Sequence, residues 1–398
     1  MDERSGRVDV ARLRADTPGV HHVIHLNNAG AALMPRPVIE AVVDHIELEG
    51  RIGGYEAADA ASKTVADAYE ASAELLGVDP REIAIVESAT VAWDRIVYSL
   101  DFREGDRILT TTSEYGSNWA AYLQLADRRG VEVVMVPDDQ SGDIDIAALE
   151  ALVDERTRLI SINHVPTNGG LVNPAAAVGV VARRAGVPFL LDACQSVGHL
   201  PLDLRSIGCT FATWTSRKFL RGPRGVGGAF VASEALDTFE PVFADNHSTT
   251  VTDMRYRFRN DARRLESWER SYANLVGYRT AVRYALDVGV EAIWCRVREL
   301  AAMTREGLRG IEGVTVLDRG TVQGAIVTFT IDGRYPVEVQ ELLGEAGINA
   351  SHSTINSAPF DMRMRGLDGL VRIAVHAYNT EDEIDRFLTE VRVISAVG

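Results

Sequence analysis

The 398-residue chain predicts an α/β fold, with a large domain on a mainly parallel sheet over 21–262 and a smaller α+β domain from 1–20 and 263–398. Two observations carry this expectation. Between about Asn27 and Phe230, short runs of β-branched and apolar residues alternate with helical stretches, as strands joined by helical crossovers do. After about Asn246 the texture shifts to long amphipathic helices with a few strand runs, a different packing pattern. A hydrophobic content of 46% is enough for an ample core.

In chain order, the strand runs of the first part are Ile83–Val86, Arg107–Thr110, Val131–Val136, Leu159–Asn163, Phe189–Asp192 and Phe211–Trp214, with Val226–Val231 as a returning strand. Most are nearly continuous apolar runs, as strands buried on both faces are. The helical stretch Pro174–Arg184 is one of the crossovers between them. In the second part the periodicity predicts helices over Glu266–Leu286 and Val290–Leu308, strands at Val314–Leu317 and Ala325–Thr330, and a last amphipathic helix over Glu381–Ile394. No repeat or low-complexity linker separates the two parts, so they are expected to pack tightly.

Bulk properties exclude several classes of function. The net charge is −16 and the basic residues are dispersed, which argues against a nucleic-acid groove or an anionic membrane as partner. No apolar run reaches the roughly 18–20 residues of a membrane span, and the polar start Met1-Asp2-Glu3-Arg4 lacks a secretion signal's apolar region, so a cytoplasmic protein is expected. Cys194, Cys209 and Cys295 show no CxxC spacing, and neither a metal site nor a disulfide framework is expected.

The chemistry gathers at predicted strand ends, where open α/β sheets place their ligands. Asp192 closes the apolar run Val187–Leu191, and Lys218 follows Phe211–Trp214. Pyridoxal 5'-phosphate (PLP) needs such a pair: an imine-forming amine, and an anion that keeps the pyridinium nitrogen protonated. Each residue also has a plainer reading. Asp192 with Gln195 three positions on is an ordinary helix-capping pair, and a lone lysine is usually a solvated surface charge. Their coincidence favours the cofactor, with Gln195 on its phenolic O3' oxygen.

Other residues join the same edge. Ser88, Ala89 and Thr90 open a helix after the strand Ile83–Val86, which makes an anion site or a simple cap. Hydroxyls such as Thr215, with Arg217, would add to a phosphate site beside Lys218. Tyr115 follows the Arg107 strand, where an aromatic ring can stack on a pyridine ring. Thr167 and Asn168 are strand-end donors for O3' or a bound acid. Arg372 interrupts the apolar run Leu370–Val375, so it either snorkels to solvent or grips an anion such as a substrate α-carboxylate. His352 and Asn356 are substrate-facing candidates or members of a polar surface loop.

These residues resemble those of the fold-type I PLP enzymes, in the class V aminotransferase and cysteine desulfurase superfamily, which includes carbon–sulfur lyases and isopenicillin N epimerase-like relatives. The likeness runs from Leu26-Asn27-Asn28-Ala29-Gly30 through Asp192-Ala193-Cys194-Gln195-Ser196-Val197-Gly198-His199, Lys218 and Gly222-Pro223-Arg224-Gly225 to Tyr378-Asn379-Thr380-Glu381. It implies that Lys218 forms the cofactor imine, Asp192 holds the pyridinium, Gln195 contacts O3' and Tyr115 stacks on the ring. It further implies phosphate contacts from Ala89, Thr90, Thr215 and Arg217 and a substrate-carboxylate contact from Arg372; Ser88 and Thr167 are expected as further cofactor contacts, and Asn28, Ala29 and His352 as further substrate contacts. A homodimer with shared active sites is implied too, in which the Arg51–Tyr55 or the Trp268 loop completes the partner's site.

The departures from that family pattern shape the expected reaction. Desulfurases carry, on a mobile loop before the carboxylate-binding arginine, a cysteine that accepts sulfur as a persulfide. The matching stretch Ala350–Ser357 has none. Thr167 replaces the usual asparagine, Arg217 the usual histidine, and Glu266–Ser271 a glycine- and threonine-rich loop. The expectation is β-elimination: C–S bond cleavage of cysteine or a cysteine S-conjugate. An aminotransferase, an epimerase or a decarboxylating oxidative deaminase is the alternative, and a non-catalytic binding protein on the same fold is a further class.

Overall fold

In the computed structural model, which describes residues 7–237 and 239–396, seven strands form one sheet. The polar start at Met1–Arg4 lies outside the described residues. Across the sheet the order is Ile83–Val86, Gly227–Val231, Phe211–Thr215, Phe189–Asp192, Thr157–Asn163, Arg107–Thr111 and Glu132–Val136. Gly227–Val231 runs antiparallel to both of its neighbours, and the remaining pairings are parallel. Successive residues serve opposite faces, because strand side chains alternate. Phe189, Leu191, Ala212 and Trp214 enter one apolar core, while Leu190 and Phe211 enter the other.

A second, antiparallel sheet has the order Val314–Val316, Ile326–Ile331, Gly369–Ala374, Ser351–Thr354. The two parts are not separate bodies of packing, since one core cluster holds both Leu191 of the large sheet and Ile373 of the small one. Ile24–His25 pairs with Ile348–Asn349, and Asn27 bridges Ala374, so the segment expected to open the large domain is hydrogen-bonded into the C-terminal part. Conversely, the helix Tyr272–Val288 packs on the helices Arg36–Ile52 and Ser62–Leu76. No described helix is long and apolar enough to cross a membrane.

The structure differs from the sequence reading at three elements. The helix expected from Glu266 begins at Tyr272, where the Ser271 hydroxyl caps it by accepting from the Asn274 amide at 3.2 Å. Glu266 is used differently: its buried carboxylate accepts from the Tyr69 hydroxyl, the Ile85 amide and Arg270, which ties a loop to the sheet. An exposed hairpin, Thr249–Thr252 with Arg255–Phe258, was not apparent from the pattern. The stretch Ser351–Thr354, read as part of a loop, is an edge strand on Gly369–Ala374.

Candidate active site

Parallel register places the key side chains beside one another. Asn163 pairs with Asp192, and Asp192 with Thr213, so three neighbouring strands end in polar residues at one carboxyl edge. A cleft lies over that edge, and Asp192, Gln195, Thr215, Arg217 and Lys218 all line it.

Asp192 is 6% exposed and surrounded by neutral donors. Its Oδ2 accepts from Asn163 Nδ2 at 2.8 Å and Asn118 Nδ2 at 3.2 Å, and its Oδ1 from the Cys194 amide at 3.0 Å. No described cation forms a salt bridge with it. A buried carboxylate in this state has an electrostatic vacancy that a pyridinium N–H would fill. The Lys218 amine forms no hydrogen bond or ion pair among the described residues, and burial pushes it down to about 8, with Arg217 and Arg372 adding to the shift. Such an amine is available as a nucleophile near neutral pH.

At the other end of the cleft the helix Ala89–Val97 presents its first amides. The Ser88 hydroxyl is spent as the N-cap, accepting from the Val91 amide at 3.2 Å, so an anion here would rest on backbone N–H groups, Thr90 and Thr215. Gly227 permits this arrangement, because a Cβ at that position would stand 2.5 Å from the Ala89 nitrogen. Arg217 lines the same end and donates one arm to the Gly30 carbonyl; it has no carboxylate partner among the described residues. Gln195 donates Nε2 to the Ala29 carbonyl at 3.3 Å and leaves its buried Oε1 unpaired, as is the buried Thr213 hydroxyl. Tyr115 stands at the mouth, 41% exposed.

Arg372 sits one layer behind the lining. Its Nη1 donates to Thr167 Oγ1 at 2.5 Å, Thr167 itself faces the cleft, and the buried Nε has no partner. Burial lowers the guanidinium to about 10, which marks a cation short of an anion.

Three expected substrate contacts are placed elsewhere. Asn28 is fully buried and its amide group is consumed within the fold: Nδ2 donates to the Ala374 carbonyl at 2.7 Å and Oδ1 accepts from the Tyr378 hydroxyl. Ala29 is buried and offers its carbonyl to Gln195. His352 pairs with Val371, on the sheet face opposite Arg372, and its Nδ1 lies 2.6 Å from Gln340 Oε1; Ser351 is the residue paired with Arg372. The sequence reading missed Trp93, Asn118, Asn163, Val165, Cys194 and Thr213 of the lining. The alternation of the strands ending at Asn163 and Thr215 could have pointed to Asn163 and Thr213, whereas Trp93 and Asn118 come from helices whose facing is tertiary.

The buried, unpaired carboxylate, the lysine of lowered basicity and the helix N-terminus beside an arginine fit the pyridinium, the carbonyl and the phosphate of PLP, and the orphaned Gln195 Oε1 shows a polar wall built for more than this chain supplies. Together with the sheet, they are features of a PLP-dependent enzyme. The chain belongs to the class V aminotransferase family, whose model matches residues 24–387 and whose enzymes use PLP. It is 27% identical over 389 residues to a protein of Pyrococcus abyssi named a probable cysteine desulfurase, covering 94% of this chain and 95% of that one. Among solved structures, a cysteine desulfurase of Thermococcus onnurineus superimposes with a TM-score of 0.91 at 25% identity, covering 99% of this chain and all of that one. A cystine C–S lyase, in complex with its reaction product cysteine persulfide, shares the fold with a TM-score of 0.85 at 24% identity, covering 94% and 99% of the two chains.

Proposed function

We propose that this PLP-dependent enzyme cleaves the C–S bond of cysteine or a cysteine S-conjugate by β-elimination, releasing a thiol, pyruvate and ammonia. The observation that carries the reading is the segment Ser351–Thr354, which is cysteine-free and held as a strand against Arg372 on a desulfurase-like scaffold. The remaining cysteines do not suit sulfur capture. Cys209 is buried and Cys295 lies on the helix Val290–Arg309, away from the cleft lining. Cys194 faces the cleft, but burial and then Asp192 push its thiol well above its ordinary value, so it stays protonated and weakly nucleophilic.

When bound, PLP supplies an electron sink for negative charge at the substrate Cα. The chain's own groups do the rest. Asp192 supplies the anion for the ring nitrogen, the amides at Ala89 and Thr90 with Thr215 and Arg217 hold the phosphate, and Tyr115 covers the ring. Arg372, oriented by Thr167, binds the substrate carboxylate and so fixes which Cα bond faces Lys218. The neutral Lys218 amine removes the Cα proton; the Cβ–S bond then breaks, its electron pair leaves on sulfur, and a proton completes the thiol, while the enamine released takes up one water to give pyruvate and ammonia.

The test is incubation with cysteine and with S-alkyl cysteines, with assays for keto acid, thiol and amino-acid product. Equal amounts of pyruvate and thiol are expected. Alanine with a protein-bound persulfide would make it a desulfurase, and a keto acid that forms without thiol would make it an aminotransferase; either ends the elimination reading. Replacing Lys218 by Ala should abolish the yellow absorbance that PLP gives the wild type, and a protein that stays colourless with added PLP would defeat every PLP-dependent reading. The reading includes a cytoplasmic homodimer, supported by the exposed apolar residues Ile52, Tyr55 and Trp268 on the two segments expected to reach the partner. A monomer in light scattering at micromolar concentration would overturn that part.

A further inference from the structure

Outside the cleft lining, and linked to Asp192 through Asn118, is a second carboxyl group that the reaction does not use. Glu114 is fully buried and forms no salt bridge among the described residues. Its two oxygens face different chemistry. Oε1 accepts from two N–H donors, the Tyr115 amide at 2.7 Å and Asn118 Nδ2 at 2.9 Å. Oε2 faces two hydroxyls, Thr110 Oγ1 at 3.0 Å and Tyr122 OH at 3.4 Å, and a hydroxyl can accept a hydrogen bond as readily as it donates one.

Two paths join this group to Asp192. Asn118 Nδ2, bonded to Glu114, also reaches Asp192 Oδ2 at 3.2 Å. The Tyr115 amide, bonded to Glu114, also donates to Asn163 Oδ1 at 2.8 Å, and Asn163 Nδ2 donates to Asp192 at 2.8 Å. A carboxylate buried without a cation is costly and takes up a proton instead. Burial first, and the nearby Asp192 charge second, push Glu114 up to about 8.

We propose that Glu114 is a neutral carboxylic acid that positions the pyridinium-binding carboxylate Asp192 and the backbone of the ring-stacking Tyr115. Its Oε1 holds the Asn118 amide and the Tyr115 N–H, while its proton sits on Oε2 and is given to Thr110 or Tyr122. Glu114 touches neither cofactor nor substrate. Its neutrality leaves the negative charge at the strand ends on Asp192, where the pyridinium binds. The inference rests on the PLP reading of the cleft.

Three proteins test it: wild type, Glu114→Gln and Glu114→Leu. Glutamine can place its oxygen toward the two N–H donors and its NH₂ toward the two hydroxyls, as the neutral acid does; leucine keeps the bulk and loses every bond. The readouts are the PLP dissociation constant, from titration of the apoprotein, and the pH midpoint of the Lys218 imine absorbance. The Gln variant is expected to keep both at wild-type values, while the Leu variant weakens PLP roughly tenfold or more and moves the midpoint, as the loss of charge-linked hydrogen bonds does. A Gln variant that shifts the midpoint as far as Leu would show that an anion is needed, and would overturn the neutral acid. A Leu variant with wild-type affinity and midpoint would overturn the positioning role. If the Leu variant does not fold, Glu114→Asp replaces it, being too short to hold Asn118, with the same two outcomes. Failure of the wild type to bind PLP overturns the cofactor reading and this inference with it, and the wild-type arm tells that outcome from the rest.

Discussion

Lys218 and Arg372 have no counter-ion among the described residues, and each makes a measurable demand. Burial sets the Lys218 amine to about 8, and only its neutral form can take the Cα proton, so elimination should rise with pH up to about that value and level off above it. Pyruvate formation followed across that range checks this, and a flat profile would remove Lys218 as the base. For Arg372, the expected signature lies in substrate binding. Arg372→Ala should raise KM for a carboxylate substrate roughly tenfold to a hundredfold, the worth of a charged hydrogen-bonded pair, with a smaller fall in kcat. Equal loss for a substrate whose carboxylate is amidated would refute the assignment. Cys194 illustrates how context decides chemistry at this scale: a thiol facing the cleft is quiet because burial, and then its neighbour Asp192, keep it protonated.

Elements carry the geometry those residues need. The phosphate end depends on the strand Gly227–Val231 pressing against the first turn of the helix Ala89–Val97, with no room for a side chain between them. Gly227→Ala should therefore displace the helix amides and weaken PLP by about 1–3 kcal/mol, the usual cost of overpacking. Gly344→Ala, where a new Cβ meets nothing within 4 Å, is the control, and equal affinities for the two variants would contradict the argument. The edge strand Ser351–Thr354 was hidden from a pattern reading because its polar run, Ser-His-Ser-Thr, resembles a loop, and only pairing with Gly369–Ala374 orders it. That pairing also turns His352 away from Arg372 and toward Gln340, since register assigns each residue to a face.

At the scale of the whole molecule, the histidines buried in the fold include His164, His199 and His376. Burial lowers His164 to about 4 and His199 to about 3, and it lowers His376 well below the ordinary 6.5. The folded state keeps them neutral, while the unfolded chain takes up protons as pH falls past about 6.5. Stability is thus complete above that value and is lost progressively as pH falls toward 4, by up to about 1.4 kcal/mol per pH unit for each histidine. Thermal melts should show Tm falling steeply between neutral pH and pH 5, and an unchanged Tm would rule out the neutral buried state. The sequence by itself determined the parallel sheet, its strand limits to within a residue or two, and the Asp192–Lys218 pair, because buried strands must be apolar and their polar ends therefore stand out. It also pointed to the helix at Ala89, through Ser88. Only the tertiary structure decided that Asn28 and Ala29 are spent on the fold, that Asn118 and Asn163 link Glu114 to Asp192, and that the C-terminal strands share a core with the large sheet. Those facts rest on which groups from distant segments meet, and a hydrogen bond between residues 74 apart, such as Asn118 to Asp192, leaves no periodic trace in the chain.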